Sequence, residues 1–235
     1  MKQILTLMAL VLITINAWAN CTDKGGNSQQ IFAACLQAAQ QGDATAQLSV
    51  GNMYFKGEHT IQDYQEALRW YRQAGEQGNA NALYNIGVFH DKGLAVEKDF
   101  NQAAKWYQQA ADLGFPDALY NLGVMHEYGQ AVAQDYTKAR EYYLQAAEKG
   151  EPSAQFSLGL LYDKGLGVEK DYVTAYMWWA ITGDGHKNAE FNRDSLAEDM
   201  TPMQISEAKR LAKAWQAARP NLQQLPPQVF PPGFE

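Results

Sequence analysis

Few side chains in this chain are spaced for chemistry. Ser206 and Lys209 stand three residues apart, a spacing at which a lysine on one helical face can take the proton of a serine nucleophile. The S-D-N and K-T-G elements that accompany such a serine are missing from the sequence. His90-Asp91 and His126-Glu127 pair an imidazole with a carboxylate twice, 36 residues apart. Neighbouring side chains on a helix diverge, so neither pair forms a chelate, and Tyr54 and Tyr162 hold the same position at the same interval. Packing is the expected role, and no metal or cofactor is expected. Cys21 and Cys35 are the two cysteines. In an oxidising compartment they are expected to pair, closing a loop of about 15 residues worth roughly 3 kcal/mol. The alternative is two buried free thiols, because Cys35 falls on an apolar helix face. There is no C-x-x-C, no H-E-x-x-H and no phosphate-cradling glycine loop.

What repeats instead is a scaffold. Gly51, Gly87, Gly123 and Gly159 are spaced 36 residues apart, and Ala46, Ala82, Ala118 and Ala154 precede each by five. A fixed period of this size marks an array of supersecondary units, each burying its apolar face against the next. Each unit reads as two helices. The first stops at Gly57, Gly93, Gly129 or Gly165, where a residue past a helix end commonly takes positive φ. The second opens at Asp63, Asp99, Asp135 or Asp171, whose carboxylates can cap the free N–H groups of the first turn. Asp63 with Glu66, and Asp99 with Gln102, have capping-box spacing. The second helices then carry Ala67, Ala103, Ala139 and Ala175, followed by Trp70-Tyr71, Trp106-Tyr107, Tyr142-Tyr143 and Trp178-Trp179. Beside those alanines the aromatic pairs read as core rather than as a sugar-stacking platform.

The ends differ, as ends of an array must. Lys2, the apolar run Ile4 to Ile15 and Ala17-Trp18-Ala19 read as a secretory signal cleaved after Ala19, too short to span a membrane. The division expected is a signal peptide over 1–19, an N-terminal capping half-repeat over 20–41, four repeats over 42–185, C-terminal capping helices over 186–219 and a proline-rich tail over 220–235. In the capping helices Thr201 should be an N-cap with Pro202 at the first helical position. Nineteen basic against 26 acidic residues, a net charge of −7, argue against nucleic acid or an anionic membrane surface as partner. The membrane is expected to matter only through the signal sequence.

The alanine, glycine, aspartate and aromatic columns, with the loops Gly93-Leu94-Ala95-Val96, Gly129-Gln130-Ala131-Val132 and Gly165-Leu166-Gly167-Val168, resemble the Sel-1-like repeat, a relative of the tetratricopeptide repeat. Thr60 departs from the valine column, and His186 stands where the next repeat's glycine should fall. The resemblance covers about Gly42 to Gly183. It implies an all-α fold, a right-handed α-solenoid with a concave groove that holds partners, and it implies that exported bacterial members act as adaptors in the envelope. Some cysteine-rich relatives have been linked to penicillin binding, which gives Ser206 its interest as the centre of an alternative, a penicillin-binding or β-lactamase-like envelope hydrolase. Those relatives carry a cysteine pair in every repeat, and this chain does not.

The expected function is therefore a non-catalytic protein–protein interaction scaffold, periplasmic or secreted, with a protein or peptide partner. By analogy the first helices line the groove, and the expected binding residues are Asn81, Tyr84, Asn85, Val88, Tyr120, Asn121, Val124 and Ser157. An asparagine amide can both donate to and accept from an extended backbone, with Tyr and Val beside it for apolar contact. Self-association is a further route, with Val229-Phe230-Pro231-Pro232 entering a groove as a pre-extended segment.

Overall fold

The computed structural model describes residues 27–183 and 185–221. The signal segment, Cys21 and the tail beyond Asn221 lie outside the described residues, so the expectations placed on them, including the Cys21–Cys35 pairing, are not addressed by it. Among the described residues there are eleven helices and no strand: α1 Ser28–Gln40, α2 Ala44–Lys56, α3 Tyr64–Glu76, α4 Ala80–Lys92, α5 Phe100–Asp112, α6 Pro116–Tyr128, α7 Tyr136–Ala147, α8 Pro152–Lys164, α9 Tyr172–Thr182, α10 Lys187–Ala197 and α11 Pro202–Ala217. None is long and apolar enough to cross a membrane.

The ends of these helices follow from their residues. Asp63, Asp99 and Asp171 each accept hydrogen bonds from the second and third residues after them, and Asp135 accepts from Lys138 N. Each replaces water for a first-turn donor that has no partner within the helix. The capping boxes expected at Asp63 and Asp99 are only half formed: the Glu66 carboxylate turns instead to Arg69, 2.6 Å away. Reciprocal boxes stand at Asn27 with Gln30 and Thr201 with Gln204, and Pro202 occupies the first turn of α11. Gly57 ends α2 at φ 70°, and its N–H and that of Glu58 both reach back to the Met53 carbonyl.

The chain forms two compact units that divide within α6, the first reaching Ala118 and the second starting at Leu119. In the first unit α1 to α5 pack in sequence, each on the next. Its core runs from Ile31, Cys35 and Ala38 through Val50 and Met53 to Trp70, then to Tyr71, Ile86 and Phe89. Phe89 meets the ring of Tyr71 edge-on at 5.6 Å, a preferred aromatic geometry. In the second unit α7 packs on α8, α8 on α9, and α9 on both α10 and α11. Ala175, Tyr176 and Trp179 of α9 form the core there with Leu196, Met200 and Ala208, and Trp215 of α11 meets Trp178 edge-on at 5.6 Å.

One contact explains the glycine column. A Cβ built on Gly51 would lie 2.6 Å from the Tyr71 ring, and one on Gly87 would lie 2.6 Å from the Tyr107 ring. In the second unit the distances are 2.5 Å from Gly123 to Tyr143 and 2.2 Å from Gly159 to Trp179. Glycine costs a helix interior about 1 kcal/mol relative to alanine, and here it opens the space that lets a second helix lay an aromatic ring on the first. Tyr71, Tyr107, Tyr143 and Trp179 are all fully buried as a result.

Candidate functional site

The expected binding residues divide between the two units. In the first, Asn81 is exposed, while Tyr84 and Asn85 are half-buried on α4. The Tyr84 ring packs against Tyr107 at 5.6 Å and Phe115 at 5.2 Å. Val88 is buried, at 7% exposure, so the expectation that it lines an open groove is corrected. The reason lies one repeat earlier: Asn52 occupies the equivalent place, and its Oδ1 accepts from the Tyr71 hydroxyl at 2.8 Å. In that repeat the position faces the second helix of its own repeat.

In the second unit Tyr120, Asn121 and Val124 are half-buried on α6. Ser157 is buried, at 8% exposure, and is likewise corrected as an open contact. It lies near enough to Tyr120 and Tyr143 to act on both phenols electrostatically. The Tyr120 and Tyr143 rings lie 5.6 Å apart, and the Tyr143 hydroxyl donates to Glu127 Oε2 at 2.5 Å. Burial, then the Glu127 charge, push the Tyr143 phenol far above its ordinary range, and burial first of all raises Tyr120. The Tyr143 phenol is therefore a neutral donor at neutral pH, which suits it to hold a carboxylate in place.

Glu127 and Tyr143 were not among the expected site residues, because Tyr143 belongs to a column that reads as core and Glu127 to one paired with histidine. The signal that could have found them is the next residue. Lys56, Lys92 and Lys164 share one column, and repeat three breaks it with Tyr128, which is 65% exposed.

The other candidates resolve as packing or surface. The carbonyls of Tyr54, His90, His126 and Tyr162 accept from the N–H groups of Asp63, Asp99, Asp135 and Asp171, closing each loop. The His126 ring stacks on Tyr142 at 5.5 Å. Burial lowers the pKa of both His90 and His126, and each keeps a buried Nδ1 with no hydrogen-bond partner. Among the described residues no three His, Cys, Asp or Glu side chains are grouped to hold a metal. Trp70 and Trp178 are buried, while Trp106 and Tyr142 are half-buried, so the aromatic pairs serve the core. Ser206 and Lys209 are both exposed on α11, where a serine would keep its water shell rather than be activated. His186, the departure from the glycine column, caps α10 through Nδ1 to Ala189 N and stacks on Phe156 at 4.8 Å.

Comparison with known proteins places this architecture. The Sel1 repeat model matches residues 44–79, 80–115, 116–151 and 152–182, and each match begins at the first residue of α2, α4, α6 or α8. Among solved structures, a Sel1 repeat protein from Oxalobacter formigenes is 27% identical with a TM-score of 0.74, over 89% of this chain and 86% of that one. The protein c5321, a protective antigen present in uropathogenic Escherichia coli strains and displaying an SLR fold, is 27% identical with a TM-score of 0.55. That match covers 88% of this chain and 54% of c5321. The immunity protein Pa5087 from Pseudomonas aeruginosa, 22% identical over 94% of this chain and 84% of its own with a TM-score of 0.54, shares the fold. A comparison with curated proteins returns no match. Four matches spanning more than half of the 235 residues, on helix pairs of the same period, mean that this chain belongs to the Sel1 repeat family, an all-α solenoid family whose members are generally protein-interaction scaffolds.

Proposed function

We propose that this Sel1 repeat chain is a non-catalytic scaffold of the bacterial envelope, exported, cleaved after Ala19, and built to hold an extended peptide or protein segment against the outward faces of its first helices. The observation that carries this reading is the state of Asn85 and Asn121. The glycines, aspartates and large aromatics of each repeat are consumed by packing and capping. These two amides are half-exposed, and among the described residues neither is taken up by a hydrogen bond. An amide in that state offers a donor and an acceptor to a passing backbone, which is how an extended segment is held without reading its sequence. An oxidising compartment suits a Cys21–Cys35 bridge at the start of the array.

The test is affinity capture from an envelope fraction with mature protein, Asn85→Arg and Asn121→Arg, their helicity matched by circular dichroism. A partner retained by the parent and lost by either variant supports the reading. Equal capture by all three overturns it. Mass spectrometry of the exported protein, with and without reductant, checks cleavage after Ala19 and the bridge together.

A further inference from the structure

Repeat three differs from its neighbours in charge. At the end of α4, Asp91 is followed by Lys92, and the two form an ion pair at 3.2 Å. Asp163-Lys164 repeats that order at the end of α8. At the end of α6 the acid is Glu127 and the following residue is Tyr128. Among the described residues no cation stands within ion-pair distance of Glu127.

The carboxylate is nevertheless held firmly. The phenol of Tyr143, a fully buried side chain, donates to its Oε2 at 2.5 Å. In the first unit the corresponding phenol, Tyr71, is satisfied by the neutral amide of Asn52. In repeat three that place is Val124, which has no acceptor, and the phenol reaches Glu127, one turn further along α6. Tyr128 lies close enough for the Glu127 charge to raise its phenol, and its ring is 65% exposed. The Tyr120 ring lies 5.6 Å from that of Tyr143. The result is an oriented, half-buried negative charge beside an exposed aromatic ring, on a chain whose net charge is −7.

We infer that Glu127 and Tyr128, with Tyr143 as the positioning residue, form a binding site for a cationic side chain, arginine or lysine, presented by an extended peptide. A guanidinium or ammonium supplies the charge that Lys92 supplies in repeat two. The Tyr128 ring offers it a π face, and the pre-placed carboxylate spares it the cost of ordering its partner. The acidic surface draws a basic peptide toward it. The inference rests on the scaffold reading and names the chemistry of the partner it would hold.

The experiment is a nuclear magnetic resonance titration of the mature chain with acetyl-Gly-Arg-Gly-amide. The same peptide with lysine, and with citrulline as the uncharged isostere of arginine, are the comparison arms. Two variants accompany it: Glu127→Gln, which keeps an acceptor for Tyr143, and Tyr128→Lys, which restores the residue of the other repeats. Saturable shifts at Glu127, Tyr128 and Tyr143 are expected with the cationic peptides. At least about tenfold weaker binding is expected with citrulline and in both variants. Absence of saturable binding to the parent, equal binding of citrulline, or unchanged affinity in either variant overturns the site. Envelope capture separates the two readings. A partner kept by Glu127→Gln and Tyr128→Lys but lost by Asn85→Arg leaves the scaffold standing without this site.

Discussion

Gly123→Ala is the most direct test of why this family carries a glycine in the middle of a helix. On helical propensity the change should stabilise by about 1 kcal/mol, and burying the methyl should add about 0.8 kcal/mol. The structure opposes both gains. The new Cβ would sit 2.5 Å from one ring carbon of Tyr143, 2.6 Å from a second and 3.2 Å from a third. To restore ordinary contact the ring must move by about 1 Å, and two features resist this. The side chain is fully buried, and its hydroxyl is tied to Glu127 at 2.5 Å. Overpacking of this kind costs about 1–3 kcal/mol, occasionally more, and a ring fixed at both ends belongs at or above the upper figure. The expected net loss is therefore about 1–2 kcal/mol, read as a fall in the urea midpoint by circular dichroism at unchanged slope. In a Tyr143→Leu background, where the ring is gone, the same substitution should be neutral or stabilising, giving a coupling of about 2 kcal/mol across the cycle. If Gly123→Ala equals or exceeds the parent in stability, or if its cost is the same with and without the Tyr143 ring, the close-approach argument is refuted.

Ala95 and Ala131 stand at φ 57° and 62°, in the column where repeat four has Gly167 at 64°. A left-handed alanine costs about 1–2 kcal/mol against glycine and recovers part of it in the unfolded chain. Ala131→Gly should therefore raise the unfolding free energy by about 0.5–1 kcal/mol, read as a higher urea midpoint, whereas Gly167→Ala should lower it, its Cβ meeting the Tyr136 carbonyl carbon at 2.5 Å. Glu151 caps α8 through Oε1, is 2% exposed and leaves Oε2 without a partner, and burial raises its pKa. Glu151→Gln keeps an oxygen for the cap and removes the buried charge, so it should stabilise by about 1 kcal/mol at pH 7; a loss there would show that the charge is favoured at the helix start. Burial depresses His90 and His126 below the ordinary 6.5. The unfolded chain then binds their protons first, so stability holds above about pH 6.5 and falls as pH drops through that value toward the folded pKa. Thermal melts should lose that step in His90→Tyr/His126→Tyr, the residue of the same column at positions 54 and 162; an unchanged pH profile would refute it.

The helices were legible because their signals are local. Aspartate, then helix, then glycine fixes where a helix begins and ends by satisfying backbone groups within four residues, and each such residue stands where its spacing placed it. His186 shows the limit of that reading. As a break in a glycine column it looks like decay of the pattern, yet in space it caps α10 and stacks on Phe156. The candidate site was less legible. Asn81 is exposed and Asn85 and Asn121 are half-buried, while Val88 and Ser157 are buried, because a period of 36 assigns residues to columns without saying which way a column faces. Asn52 against Tyr71 points to that direction for Val88, and burial to 8% exposure gives it for Ser157.

The amino-acid sequence alone determined the repeat, its helix pairs, its caps and the family to which it belongs, since each depends on residues close together in the chain and recurs four times. Only the tertiary structure decided that the glycine column is a seat for aromatic rings and that the Tyr143 phenol reaches past Val124 to Glu127. Those facts depend on which helix lies across which, and packing of that kind couples residues 16 to 20 apart through space that periodicity does not describe.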